Sequence, residues 1–451
     1  MRRVLIVGAG HVGFYVADRL STKLRRDIRR REVEIMVVDP QQHMTYQPFL
    51  PEAAAGHISP RHGVVPLRRA LRRCRIVAGT VTRIEHARKV ATVQPIVGPS
   101  REIEYDQIVV APGSVSRTLP IPGLAENAVG FKSMGEAIYL RNHVLQRLDV
   151  AAATPDEQLR RRALSFVVVG GGFAGVEAMA ELEDMTRATL ADYEELSADQ
   201  MRWTLVEASQ RILPEVGPQM GAYTVDRLIR RGFDIRLNTL LKSCRDGHVV
   251  LSDGEEFDAD TIVWTAGVKP HPMLRTTDLP LGPKGHLRCR PTLQVENDDG
   301  VVTGAWGAGD SAQVPDLSGF AEYCSPSAQH AVRQAARLAD NIVAVLSGRP
   351  VRNYVHKYVG SVASLGLHKG VAHVYGIKGR GLIAWLMHRT YHLMRVPGFG
   401  RKVRVVADWT LALITTRETV QLGELHYPRA PWEAVAAGRN PVASGGDEGA
   451  A

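Results

Sequence analysis

One short device occurs twice in this chain, and it limits the possible folds more than any other feature. Val4-Leu5-Ile6-Val7 reads as a buried parallel strand that runs into Gly8-Ala9-Gly10-His11-Val12-Gly13 and then into a helical stretch from Phe14 to Leu24. The same order returns at Phe166-Val167-Val168-Val169, Gly170-Gly171-Gly172-Phe173-Ala174-Gly175 and a helix from Val176. A strand, a glycine turn and a helix in this order suit a bound dinucleotide. The first glycine permits the tight turn, the second lets a pyrophosphate approach the backbone, and the third lets the helix pack on the strand. The phosphates then face the positive end of the helix.

Each copy continues to an acid. Glu34-Ile35-Met36-Val37-Val38 ends at Asp39, and Trp203-Thr204-Leu205-Val206 ends at Glu207. A carboxylate at a strand end there can accept hydrogen bonds from ribose hydroxyls. Glu207 would repel a 2′-phosphate, so NADH is expected over NADPH, although Arg211 lies close by in sequence. The basic run Arg25 to Arg31 lengthens the first interval and reads as an exposed extension of the first crossover helix.

A further echo joins Tyr105-Asp106-Gln107-Ile108-Val109-Val110-Ala111-Pro112-Gly113 to Asp258-Ala259-Asp260-Thr261-Ile262-Val263-Trp264-Thr265-Ala266-Gly267. Each reads as the closing strand of its own unit. The expected fold class is therefore α/β, with two Rossmann-like dinucleotide-binding domains, the second inserted in the first, and a C-terminal membrane-surface region. Turn-rich segments at Pro120-Ile121-Pro122-Gly123 and Lys269-Pro270-His271-Pro272 mark the crossings. They divide the chain into 1–119 and 271–355 for the first domain, 120–270 for the second, 356–430 for an amphipathic region, and a disordered Ala/Gly/Ser-rich tail over 431–451.

Composition excludes some alternatives. With 451 residues the chain exceeds one typical core. Cys74, Cys244, Cys289 and Cys324 form no closely spaced pair, which argues against a disulfide framework, a metal site or a dithiol reductase. The net charge of +9 suits an anionic membrane surface, a nucleic acid or an acidic partner, and charge alone does not choose among them. The basic runs Arg68-Arg69, Arg72-Arg73 and Arg160-Arg161-Arg162 are short and lack interleaved aromatics, so nucleic acid is not an expected partner. Met1-Arg2-Arg3 leads straight into the first strand, so no signal peptide is expected and the cytoplasm is the default location.

Taken in order, these elements resemble the type II NADH dehydrogenases, members of the two-dinucleotide-binding-domain flavoproteins related to the pyridine nucleotide-disulfide oxidoreductases. The resemblance spans roughly residues 1 to 425 and includes Gln47-Pro48-Phe49-Leu50-Pro51-Glu52-Ala53-Ala54-Ala55-Gly56, Val206-Glu207-Ala208 leading to Arg211-Ile212-Leu213-Pro214, Trp264-Thr265-Ala266-Gly267-Val268, and Gly381-Leu382-Ile383-Ala384-Trp385-Leu386 with Asp408-Trp409; the strand Val301-Val302-Thr303-Gly304-Ala305-Trp306-Gly307-Ala308-Gly309-Asp310, ending in a glycine-flanked acid, is typical of FAD proteins. It implies FAD at Gly8, Gly10, His11, Val12, Gly13, Asp39, Val81, Ala111, Gly113, Asp310, Ala328 and Gln329. It implies NADH at Gly170, Gly172, Phe173, Ala174, Gly175, Glu177, Glu207 and Gly267. Hydride would pass directly to the flavin and electrons on to a quinone, in a homodimer held peripherally on the cytoplasmic membrane face.

Glu177 matches the family's glutamate at the nicotinamide-flavin contact; as a first-turn acid it would also stabilise the helix dipole. The family's acceptor-side motif Ala-Gln-x-Ala-x-Gln reads here Ala328-Gln329-His330-Ala331-Val332-Arg333, with Gln334 one position late. Gln329 and Arg333, four apart on one helix face, are the expected acceptor-side residues, and with Glu177 at the nicotinamide-flavin contact they make up the expected catalytic set. Ser325-Pro326 reads as the start of that helix, which brings Cys324 near the flavin or leaves it a small buried hydrophobe. Residues from about 380 to 415 are expected to attach to a membrane face through Leu382, Ile383, Trp385, Leu386, Leu393, Met394, Trp409, Leu411, Leu413 and Ile414. A soluble FAD reductase for a small redox protein, or an FAD- and NADH-binding sensor, would use the same nucleotide sites.

Overall fold

The computed structural model describes residues 1–415, 417–422 and 430–436. Strand Arg2–Val7 is buried from Val4 onward and pairs in parallel with Val33–Asp39 on one side and Gln107–Val110 on the other. Val7 lies opposite Val38 and Val110, so three strand ends meet where the first glycine turn begins. This sheet has eight strands, completed by Gln294–Asn297 and Gly300–Gly307 at one edge and by Arg75–Glu85, Val90–Pro95 and Arg101–Glu104 at the other. Strand Gly300–Gly307 returns from beyond residue 290 to pair in parallel with Gln107–Val110, which makes the second unit an insertion in the first.

The inserted unit repeats the plan in five parallel strands, ordered Ala128–Gly130, Thr261–Trp264, Ser165–Val169, Arg202–Glu207 and Asp234–Leu237. Strand Ser165–Val169 is buried along its whole length, as a central parallel strand covered on both faces must be. Both crossings between the units use one antiparallel ribbon, Ser114–Ser116 against Val268–Pro270. The α/β class and the inserted second Rossmann-like unit thus stand as the sequence predicted. Helix Arg25–Arg29 follows helix His11–Lys23 with no buried residue, so the basic run is an exposed continuation of the crossover.

The glycine turns are built by exclusion. Gly8 has φ +88°, and a Cβ there would stand 2.5 Å from the Ala111 carbonyl oxygen. A Cβ at Gly13 would stand 1.8 Å from the Gly8 carbonyl oxygen, and one at Gly175 would stand 2.0 Å from that of Gly170. Helix and strand meet too closely for any side chain at these positions.

After helix Ala328–Leu346 the chain forms a three-stranded antiparallel sheet, Gly360–Ser364, Gly370–Val374 and Ile377–Arg380. Helices Gly381–Arg395 and Phe399–Ile414 follow. The start of this region is therefore sheet where amphipathic character alone was expected. Helix Ala328–Leu346 also begins later than the sequence suggested: Ser327 is its cap, accepting from the His330 amide at 3.2 Å, because the Ser325-Pro326 turn precedes it.

The two C-terminal helices have opposite faces of opposite character. Leu382, Ile383, Leu386, Met394, Phe399, Leu411, Leu413 and Ile414 are exposed. Trp385 and Trp409, expected on that apolar surface, are instead buried, since the indole N–H of Trp409 donates to Glu52 Oε2 at 2.6 Å and both rings stack on Arg389. Among the described residues no helix is long and apolar enough to cross a membrane. Residues 430–436 form a short helix where composition predicted disorder; the rest of the expected tail, 437–451, lies outside the described residues.

Candidate functional site

A groove of about 520 Å³ opens at the carboxyl end of the first sheet. Strand-end loops converge there because parallel strands all finish on one side, which is where open α/β sheets bind ligands. Gly8, Gly10, His11, Val12, Asp39, Val81, Ala111, Gly113, Asp310 and Ala328 line it. Gly13 lies behind the turn, closing helix onto strand. Gly10 caps helix His11–Lys23 without a side-chain bond, and a Cβ built on it meets nothing within 4 Å, so the bare helix N-terminus faces open space. Such a terminus attracts a phosphate.

Asp39 holds the turn in place. Its Oδ2 accepts from the Ala9 amide at 2.6 Å and its Oδ1 from the Gln41 amide at 2.7 Å. Burial raises its pKa, against the opposing pull of those two amides. Each carboxylate oxygen retains a lone pair for a ribose hydroxyl. At the far end of the groove, Ser114 Oγ donates to Asp310 Oδ2 at 2.6 Å, and Lys132 Nζ donates to the Ser114 carbonyl at 2.7 Å. Burial lowers the Lys132 pKa, while Asp310 and Glu136 raise it. Lys132 escaped the sequence reading because it stands just past the inserted unit's edge strand, and only the tertiary fold turns it back toward Asp310.

The inserted unit carries a second cradle with the same wiring. Glu207 Oε2 accepts from the Gly171 amide at 2.6 Å and Oε1 from the Ser209 amide at 2.7 Å. Gly172 caps helix Phe173–Thr189, again with no side-chain bond, and nothing lies within 4 Å of a Cβ built there. Phe173, Ala174 and Gly175 form the first turn of that helix, and Gly170 and Gly267 adopt positive φ at neighbouring strand ends.

Glu177 lies one turn further along, away from the first groove. It is 7% exposed, accepts from the Ser364 amide at 2.8 Å and faces His388 Nε2 at 3.1 Å. Glu181, on the next turn, pairs with His57 at 2.9 Å and accepts from Ser364 Oγ at 2.6 Å. Burial would raise the Glu181 pKa, but His57, Ser364 and Arg389 together hold it down at about 2. Glu52, Glu177 and Glu181 thus come from both nucleotide units and meet His388 and Arg389 of the C-terminal region in one buried joint. Sequence reasoning missed this joint, since no spacing links residues 52, 57, 181 and 388.

Gln329 reaches the first residue of strand Gly360–Ser364, and Arg333 reaches the segment before it. Gln329 Nε2 donates to the Gly360 carbonyl at 2.8 Å, and its Oε1 is buried without a hydrogen-bond partner. Arg333 donates to the Lys357 carbonyl and lies 3.3 Å from the His356 ring nitrogens, outside the groove. Burial, His330 and Arg333 lower the His356 pKa to about 4, so the guanidinium meets a neutral ring at pH 7. Gln334 turns inward instead and accepts from the Gly309 amide at 2.7 Å, beside Asp310. Burial raises the Cys324 pKa to about 11, so that cysteine stays a thiol.

A cradle for one dinucleotide in each sheet agrees with what the chain is similar to. A type II NADH:quinone oxidoreductase of Mycobacterium tuberculosis is 28% identical over 92% of this chain and 89% of its own length. The type II NADH:quinone oxidoreductase of Staphylococcus aureus is 29% identical over 88% and 97% respectively. The solved structure of NDH2 from Plasmodium falciparum in complex with NADH superposes with a TM-score of 0.84 at 15% identity, covering 93% of this chain and 99% of that one. The pyridine nucleotide-disulphide oxidoreductase family model matches residues 2–335, and the chain belongs to that family.

Proposed function

We propose that this protein takes hydride from NADH onto FAD and passes the electrons to a membrane quinone. The observation that carries the reading is the duplicated cradle, with a bare helix N-terminus and an amide-held carboxylate in each sheet. The first groove fits FAD: open space at Gly10 for the pyrophosphate, Asp39 for the adenosine ribose, and Asp310 with Lys132 at the opposite end. FAD, when bound, supplies the acceptor for a two-electron hydride transfer. Gly10 and the helix His11–Lys23 N-terminus hold its phosphates, and Asp39 orients its ribose. Gly172 and Glu207 do the same for NADH.

Gln329 and Arg333 belong to the acceptor side in this reading. The unpartnered Gln329 Oε1 suits a ligand hydroxyl. The exposed apolar faces of helices Gly381–Arg395 and Phe399–Ile414, flanked by Arg395 and Arg404, fit the surface of an anionic bilayer, with the protein peripheral on the cytoplasmic face and, by resemblance, a homodimer.

Glu207→Gln is expected to narrow the preference for NADH over NADPH by roughly tenfold, the scale of one lost charge repulsion of about 1.4 kcal/mol. The kcat/KM ratio for the two cofactors measures it, and equal use of both by the native protein would count against the reading. Arg333→Gln restores the family's glutamine; it should alter quinone KM while leaving the rate of flavin reduction by NADH within roughly twofold. Stopped-flow reduction combined with quinone titration separates these effects, and damage confined to flavin reduction would reverse the assignment of sides. The double change Phe399→Glu and Leu413→Glu, at positions 82% and 59% exposed, should weaken anionic liposome binding at least ~10-fold, because each side chain buries about 1.5–3 kcal/mol of apolar surface. Surface changes are preferable to truncation here, since removing these helices would strip His388 and Trp409 from buried partners. Undiminished cosedimentation of the double variant would refute the attachment.

A further inference from the structure

Acidic residues are unevenly spread along this chain. No aspartate or glutamate stands between Glu52 and Glu85, or between Asp340 and Asp408. The fold brings these two acid-free stretches together, because helix Phe399–Ile414 lies on the turn Pro60–His62. Asp408 Oδ2 accepts from the Ser59 amide at 3.0 Å and faces His62 Nδ1 at 2.5 Å, and the Arg401 guanidinium donates to the Arg61 carbonyl. Asp408 is the one acid of that helix, and its contacts turn it inward.

What remains at this surface is cationic. Arg61, Arg69 and Arg404 are exposed and Arg401 is half-buried, and among the described residues none of the four has an ion-pair partner. Burial, then the like charges of Arg404 and Arg69, lower the pKa of Arg401. Arg73, further along, stands near Asp18 and so falls outside the set. Self-repulsion of this kind costs stability and is relieved when an anion settles on the cluster.

The cluster also borders an apolar strip. Phe399, Val403, Val406 and Ile414 are exposed and recur at helical spacing. Arg404 lies three residues from Arg401 and four from Asp408, the two side chains that reach the 59–62 segment, so it stands on the margin of the strip that faces the first unit. Cations beside an exposed apolar strip match the phosphates and the acyl boundary of a bilayer. A nucleic acid or a free phosphate would satisfy the arginines and leave the strip in water.

We propose that Arg61, Arg69, Arg401 and Arg404 form a seat for the phosphate groups of anionic lipids, so that the first dinucleotide unit rests on the bilayer beside the C-terminal helices. This rests on the membrane attachment proposed above and adds to it a second point of contact. An amphipathic helix alone can roll about its own axis on a membrane. Arg61 and Arg69 belong to a different element from Arg401 and Arg404, and with all four at headgroup depth that roll is blocked and the protein is held in one orientation.

The test uses the FAD-loaded full chain and vesicles of phosphatidylcholine mixed with phosphatidylglycerol. Arg69→Gln with Arg404→Gln, at two exposed positions, should weaken binding ~30-fold, or ~5-fold for each charge withdrawn from the headgroup layer, and should flatten its dependence on salt. Retained FAD and a native Tm show that the variant is folded. Arg69→Lys with Arg404→Lys should bind as the native chain does, because the headgroup layer reads charge. Arg161→Gln with Arg245→Gln removes two exposed charges from the inserted unit and should leave binding near native. Equal weakening by that control would replace the seat by net charge alone and overturn it. Native affinity and salt dependence in Arg69→Gln with Arg404→Gln, while Phe399→Glu with Leu413→Glu detaches the protein, would overturn the seat and leave the attachment standing. The seat would also fall if the arginine variant bound vesicles normally but lost binding of inorganic phosphate or of duplex DNA. A native chain that ignores these vesicles at low salt would defeat the attachment itself, and the seat with it.

Discussion

A carboxylate at the end of the second strand fastens the glycine turn in both sheets, and the nucleotide-binding geometry depends on it. Asp39 takes the Ala9 amide and Glu207 takes the Gly171 amide, each at 2.6 Å, while their second oxygens hold Gln41 and Ser209, each at 2.7 Å. Hydrogen bonds to an ionised acceptor are stronger than neutral ones, so each acid fixes its glycine loop before any ligand arrives. The glycines make the turn possible, and the acid makes it single-valued. Ordering entropy that would otherwise oppose binding is spent during folding.

A second constraint ties the C-terminal region to both cradles. Glu52 from the first unit, and Glu177 and Glu181 from the inserted one, are nearly inaccessible, and such carboxylates are costly unless paired. His57, His388, Arg389 and the Trp409 indole supply the pairing, so the helices that carry the exposed apolar face also neutralise the joint between the units. Removing one partner of a buried pair typically costs about 3–5 kcal/mol, which makes this region part of the folded enzyme and not a detachable anchor.

Much of this was legible in the sequence where the physics is local. A buried strand, a glycine turn and a helix are contiguous, and Asp39 and Glu207 follow at strand ends, so two cradles and the insertion could be read from residue order alone. What could not be read depends on distant contacts. Lys132 reaches Ser114, which donates to Asp310, only after the inserted unit folds back. Trp409 looked like a membrane-facing aromatic because its neighbours are apolar, but Glu52 draws its indole inward. Arg333 stands where the family motif has an amide, and only the fold reveals that it turns to Lys357 and His356 while Gln334 takes the inward position.

If the two cradles hold NADH and FAD so that hydride passes directly between them, the hydrogen on the nicotinamide face presented to the flavin must move in the step that bleaches it. Anaerobic stopped-flow reduction with NADH deuterated stereospecifically at the transferred position tests this most directly. A primary isotope effect for one deuterated epimer and none for the other is the predicted result. Bleaching at the same rate with both epimers and with unlabelled NADH, or no bleaching at all, would contradict it.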